Sequence, residues 1–101
     1  MGARLDDALG CLARYPRRVV VDSLRERESV PVAELTEQFP DDTSETRVTL
    51  VHTHLPRLAD NGYIDWDRDA GTVSRGPRYS ELEPLVTALV GASENSPFEW
   101  P

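Results

Sequence analysis

The side chains best suited to chemistry lie between positions 45 and 75. Arg47 carries a planar guanidinium that can grip the O6 and N7 atoms of a guanine, or close a solvated salt bridge with Glu45 or Asp42. His52 and His54 have the donors of a metal site, but two residues apart on a helix they point to different faces, and neither cysteine nor carboxylate accompanies them. Their positions predict His54 partly buried against the hairpin that follows and His52 exposed. Cys11, the single thiol, sits beside a stripe of Leu5, Leu9 and Leu12, the ordinary place of a small buried thiol; redox sensing is the alternative. Tyr63 and Trp66 offer faces for stacking on nucleotides, yet at the strand starts of a small hairpin such rings more often supply core area. No nucleophile motif, phosphate-cradling loop or metal-ligand cluster occurs, so the expectation is a protein that is not an enzyme and needs no cofactor.

Several elements must hold these residues. Val48, Val51, Leu55 and Leu58 recur at intervals of three and four and predict one long helix that stops at Asn61-Gly62, where glycine can take the left-handed conformation. Pro56 falls inside it, which predicts a kink or a break near Leu55. Ile64, Trp66 and Val73 alternate with Asp65, Asp67, Thr72 and Ser74 around Asp69-Ala70-Gly71, the pattern of a two-stranded hairpin.

Upstream, a helix from Leu5 to about Tyr15 ends at Pro16, and a second runs from Pro16 towards Arg27, its three valines leaving some ambiguity with a strand. Ser29-Val30-Pro31 reads as a connection. Val32, Leu35 and Phe39 define a short helix that stops at Pro40. In the polar turn after it, Asp42 or Ser44 is the candidate N-cap of the long helix, and Glu45 is placed for a capping box with Asp42. After the hairpin Gly76-Pro77 breaks the chain, and Tyr79, Leu82, Leu85, Val86, Leu89 and Val90 form a last amphipathic helix, with Pro84 either within its first turn or marking its true start. The fold class expected is mainly α with a small β-hairpin, a winged helix-turn-helix over residues 1–91 followed by a flexible C-terminal tail, 92–101, whose Phe98 and Trp100 are available to dock on a neighbour.

Length and charge set the frame. A chain of 101 residues supports one small core. The single cysteine excludes an internal disulfide framework, no apolar run approaches the roughly 20 residues that span a bilayer, and a cytoplasmic, membrane-free protein is expected. All eleven cationic side chains are arginine, against eighteen acids, and the net charge is -7. Such a composition resembles that of cytoplasmic proteins from extreme halophiles, which stay soluble where salt screens charge repulsion. Overall acidity opposes binding to phosphate, but residues 43–79 carry five Arg against five acids and form the neutral part of the chain. In molar salt, counterion release contributes little, so a reader of DNA would depend on hydrogen bonds and shape.

His54, Leu55, Leu58, Gly62 and Ile64 match the "HLxxLxxxGxI" end of the recognition helix in ArsR- and MarR-like winged-helix regulators, and Tyr15-Pro16-Arg17-Arg18 followed by Leu24 is similar to their "hPxRxxIL" helix start. The fuller pattern, from His52 through Pro56 to Thr72-Val73-Ser74-Arg75-Gly76-Pro77, resembles a small haloarchaeal winged-helix family of uncharacterised function over about residues 5–90. The resemblance implies a transcriptional regulator that binds double-stranded DNA as a homodimer through its first and last helices. It implies Glu45, Thr46, Arg47, Thr49, His52 and Thr53 as the reading face of the third helix, with Arg68 at the wing tip and Arg75 on its return strand near phosphates or the minor groove. Asp65, Asp67 and Asp69 oppose phosphate unless they point away, and the alternative is an interaction module whose partner is a protein.

Overall fold

Pro16 divides the N-terminal third into two helices, because a proline can open a helix but cannot continue one. In a computed structural model, which describes residues 2–39 and 44–101, these are α1 (Gly2–Leu12) and α2 (Tyr15–Glu26). The valines of α2 are helical, and Val19, Val20, Val21 and Leu24 all enter the core. Then follow β1 (Ser29–Pro31), α3 (Val32–Glu37), α4 (Ser44–Thr49), a π-helical turn (Leu50–His54), α5 (Leu55–Asp60), β2 (Ile64–Asp67), β3 (Thr72–Arg75), a 3-10 turn (Tyr79–Glu81) and α6 (Glu83–Ser93). The protein is thus mainly helical with a small antiparallel sheet. Pro40, Asp42 and the capping box expected between Asp42 and Glu45 lie outside the described residues.

The sheet has three strands, not two, in the order β1-β3-β2. Ser29-Val30-Pro31, expected as a connection, pairs antiparallel with β3, Val30 opposite Val73 and Pro31 opposite Thr72. Its shortness hid it, and its proline is tolerated because β1 is an edge strand where a missing N–H breaks no inner ladder. On the other side of β3, Trp66 faces Val73 and Ile64 faces Arg75.

The long helix is composite. Pro56 has no N–H to offer and its ring crowds the carbonyl four residues back; the wide turn before it accommodates that defect, and Leu55 N–H reaches back five residues to the Leu50 carbonyl. The turn also rotates the two halves relative to each other. Leu55 and Leu58 are buried as the spacing predicts, Val51 is half-buried, and Leu50 takes the inward position that periodicity gave to Val48, which is 56% exposed. At the far end Gly62, at φ 77°, closes the helix: Tyr63 N–H donates to Leu58 O at 3.1 Å and Gly62 N–H to Ala59 O at 2.9 Å. This is a Schellman closure, with Tyr63 and Leu58 both fully buried.

The core joins Cys11 and Leu12 of α1, the α2 valines, Val30, Leu35, Leu50, Leu55, Leu58, Tyr63, Ile64, Val73, Tyr79, Leu82 and Val86. The final segment, expected to be a flexible tail, returns to the body: Trp100 Nε1 donates to Asp22 Oδ1 at 2.7 Å. A single aromatic anchor leaves no periodicity to read. Among the described residues no helix is long and apolar enough to cross a membrane.

Two glycines give opposite expectations. A Cβ at Gly76 would lie 2.5 Å from the Gly62 carbonyl oxygen and 2.7 Å from Ile64 N, both backbone atoms that cannot step aside. Gly91, in α6, has nothing within 4 Å of that position. In urea titrations Gly76→Ala should lose about 2–3 kcal/mol, whereas Gly91→Ala should gain about 0.5–1 kcal/mol from helix propensity.

Candidate nucleic-acid interface

Arginine at the start of a helix opposes that helix's own dipole. Arg17 and Arg18 occupy that place in α2 because they serve the helix before it. The last turn of α1 leaves carbonyls without intrahelical partners. Arg17 Nε donates to Cys11 O and its Nη2 to Gly10 O, both at 2.8 Å, and Arg18 Nη1 donates to Leu12 O at 2.8 Å. The remaining edge of Arg17 is turned towards the composite helix, where Nη1 lies 3.1 Å from His54 Nδ1.

Since a guanidinium can only donate, His54 Nδ1 accepts, and the ring is the neutral tautomer with its proton on Nε2. Burial, followed by the charges of Arg17 and Arg14, pulls the His54 pKa below its ordinary value. His54 is therefore buried as predicted, but its polar partner is α2 and not the hairpin. Cys11 is fully buried, with its Sγ accepting from Asn61 Nδ2 at 3.7 Å, and burial pushes its thiol pKa up, the opposite of an activated cysteine.

With its inner side fixed in this way, the composite helix turns a second side to solvent. Glu45, Arg47, Val48, Thr49, His52 and Thr53 are exposed and Thr46 is half-buried. The Thr49 hydroxyl donates to Glu45 O at 3.0 Å, which leaves the lone pairs of its oxygen to act as acceptor. Arg47 lines a cleft of about 370 Å³ together with Val32, Ala33, Thr36 and Glu37 of α3 and Val51. Arg57 is exposed one turn beyond Thr53, close enough to α1 that a Cβ on Gly10 would meet its guanidinium at 3.2 Å.

On the hairpin, Arg68 lies over Trp66 with 4.3 Å from guanidinium carbon to ring centroid. Strand alternation sends Asp65 and Asp67 to the face opposite Ile64 and Trp66, and Asp67 Oδ1 accepts the Ala70 N–H at 3.0 Å, tying the turn. Arg75 is a correction. Expected near phosphates, it donates through Nε to Leu24 O at 2.6 Å and through Nη2 to Arg25 O at 3.0 Å, and it stacks over Tyr79. It caps α2 and is withdrawn from the candidate face. Tyr63 and Trp66 pack into or against the core, as expected of core area. Among the described residues no group of three or more His, Cys, Asp or Glu is gathered as a metal ion would require.

Residues 9–74 match the family model described as a domain of unknown function, DUF7344. The chain belongs to the DUF7344 family. No curated protein and no solved structure matches it. The DUF7344 match runs from the end of α1 through the composite helix to β3, so it includes the Arg17–His54 contact and the whole exposed face of the composite helix.

Sequence reasoning missed the capping contacts of Arg17 and the exposure of Val48. For Arg17 a signal existed: two arginines at a helix start, directly after a helix stop, are misplaced unless they cap the previous helix. The exposure of Val48 depends on the wide turn, which Pro56 announces without giving its phase.

The contact between Arg17 and His54 has a pH signature. The folded pKa of His54 is lowered, so the unfolded chain binds the proton more readily, and stability present above the ordinary value of 6.5 is lost as pH falls through the folded value. Denaturation from pH 8 to pH 5 should show this loss in the wild type, and His54→Gln should flatten the His54-dependent part. An unchanged pH profile in His54→Gln would remove the neutral-imidazole contact from the account.

Proposed function

We propose that this protein is a winged helix-turn-helix regulator that reads double-stranded DNA as a homodimer in the cytoplasm of a halophile. The observation that carries the reading is the solvent-facing side of the composite helix. Glu45, Arg47, Thr49, His52 and Thr53 stand outward on a helix that follows the short α3 and runs directly into a hairpin. The β1-β3-β2 order supports the hairpin as a wing, since β1 secures β3 to the body while the turn bearing Arg68 projects. Together with the resemblance to ArsR- and MarR-like regulators, this favours a major groove for the helix and flanking phosphates for Arg68.

The self-partner is supported by apolar surplus. Leu5 and Leu9 on α1 are 50% and 47% exposed, and Leu85 and Leu89 on α6 are only partly buried. Leu5 and Leu9 lie outside the core, whereas Leu85 and Leu89 pack against it and leave only their outer edges to a partner. A protein-interaction module is the second reading, favoured by Asp65, Asp67 and Asp69 exposed on the hairpin and by the loss of Arg75 to α2.

Selection of bound sequences from random DNA in molar potassium chloride should enrich a palindrome with half-sites about ten base pairs apart. Arg47→Ala with Arg68→Ala should then weaken binding to the enriched site about tenfold or more. Unchanged affinity, or no enrichment by a folded dimer, would favour the protein-interaction module. In sedimentation, Leu5→Glu with Leu9→Glu should give monomers of unchanged helicity; an intact dimer would place the self-contact elsewhere.

A further inference from the structure

Val48 is out of keeping with its surroundings. Its spacing assigns it to the core, yet the π-helical turn carries it to the polar side of the composite helix. Among the described residues it is the one large apolar side chain strongly exposed on that helix; the others, Leu5, Leu9, Tyr15 and Phe98, lie on α1, at the start of α2 and near the C-terminus. Beside it, Thr49 presents a methyl group and a hydroxyl oxygen whose proton is already donated to Glu45 O. With the hydroxyl proton held within the helix, the pair offers methyl surface and a hydrogen-bond acceptor.

In the major groove, thymine presents a C5 methyl and adenine an N6 amino donor, while guanine presents only acceptors and cytosine a donor without a methyl. Resting on the DNA-reading proposal above, we infer that Val48 and Thr49 specify an A·T step in each half-site. Val48 packs on the thymine methyl, and Thr49 accepts from the adenine amino group. Guanine is disfavoured opposite Thr49 because its acceptors would face the hydroxyl oxygen unless the bond to Glu45 O were broken, and cytosine is disfavoured opposite Val48 because the methyl contact is lost.

The test uses the full-length protein and the enriched duplex, with each thymine replaced in turn by deoxyuridine, which removes only the methyl. At one thymine per half-site, affinity should fall about fourfold, the scale of one buried methyl group. Val48→Ala should bind the parent duplex more weakly and lose that discrimination, Val48→Ile should keep it, and Thr49→Val should relax the adenine preference in a repeated selection while Thr49→Ser retains it. Since Val48 is exposed, folding of its variants is expected to be unaltered and is checked by circular dichroism. Enrichment with no methyl-dependent thymine, or a methyl effect that survives in Val48→Ala, overturns this inference and leaves the DNA reader standing. A pool with no enriched sequence overturns both.

Discussion

Guanidinium groups donating to the bare carbonyls at helix ends are the interaction on which this architecture depends. Arg17 and Arg18 close α1, Arg75 closes α2, and Arg78 Nη1 donates to Asn61 O at the end of α5 at 3.0 Å. Each joins elements that are remote or separated by a break, so the caps also act as tertiary links. Arg78 continues to Glu81, which also pairs with Arg4 of α1, and Arg75 stacks on Tyr79, whose hydroxyl donates to Val21 O at 2.7 Å. For the buried Arg17 a charged hydrogen bond of this kind is worth about 1.5–3 kcal/mol when its loss would leave a carbonyl unpaired. Lysine, a point charge on a flexible stem, cannot divide its donors between two fixed carbonyls and an imidazole.

This gives a local reason for part of an unusual composition. The absence of lysine is a property of the whole chain, but at positions 17, 75 and 78 the fork geometry is what the fold uses. The same observation changes the electrostatics of the candidate face. Residues 43–79 balance five arginines against five acids, yet Arg75 and Arg78 are turned towards backbone carbonyls. What faces outward is less basic than the count suggests, and recognition on this face must rest on directional contacts more than on attraction to phosphate.

Much of the fold was legible in the residues. Pro16 as a helix boundary, Gly62 as the closing residue, the Ile64–Arg75 alternation and Pro84 in the first turn of α6 all follow from rules of local conformation, which act within a few residues. The failures are non-local. The strand at Ser29–Pro31 exists because β3 is there to pair with it, and the return of Trp100 depends on Asp22, far back in the chain. The candidate face was legible in outline: Glu45, Arg47, Thr49, His52 and Thr53 do stand outward, because polar residues on an amphipathic helix do so in any register. Arg75 and Val48 depart from expectation for separate reasons: resemblance alone places Arg75 near phosphates and carries nothing of its contacts with α2, whereas a constant pitch, given to a proline-adjusted helix, places Val48 inward.

Gly76 has a consequence that reaches beyond its own turn. With no side chain, it lets the exit of β3 lie against the end of α5, where its N–H meets Tyr63 O at 3.0 Å while Arg78 N–H meets Gly62 O at 2.8 Å. The composite helix and the hairpin are thereby welded at their shared corner, like the two arms of a set square. A duplex reader built this way has a fixed span between its groove contact and its flanking contact. Any mismatch between that span and a given sequence must be absorbed by bending of the DNA, which makes the flexibility of the flanking base steps part of what such a protein would measure.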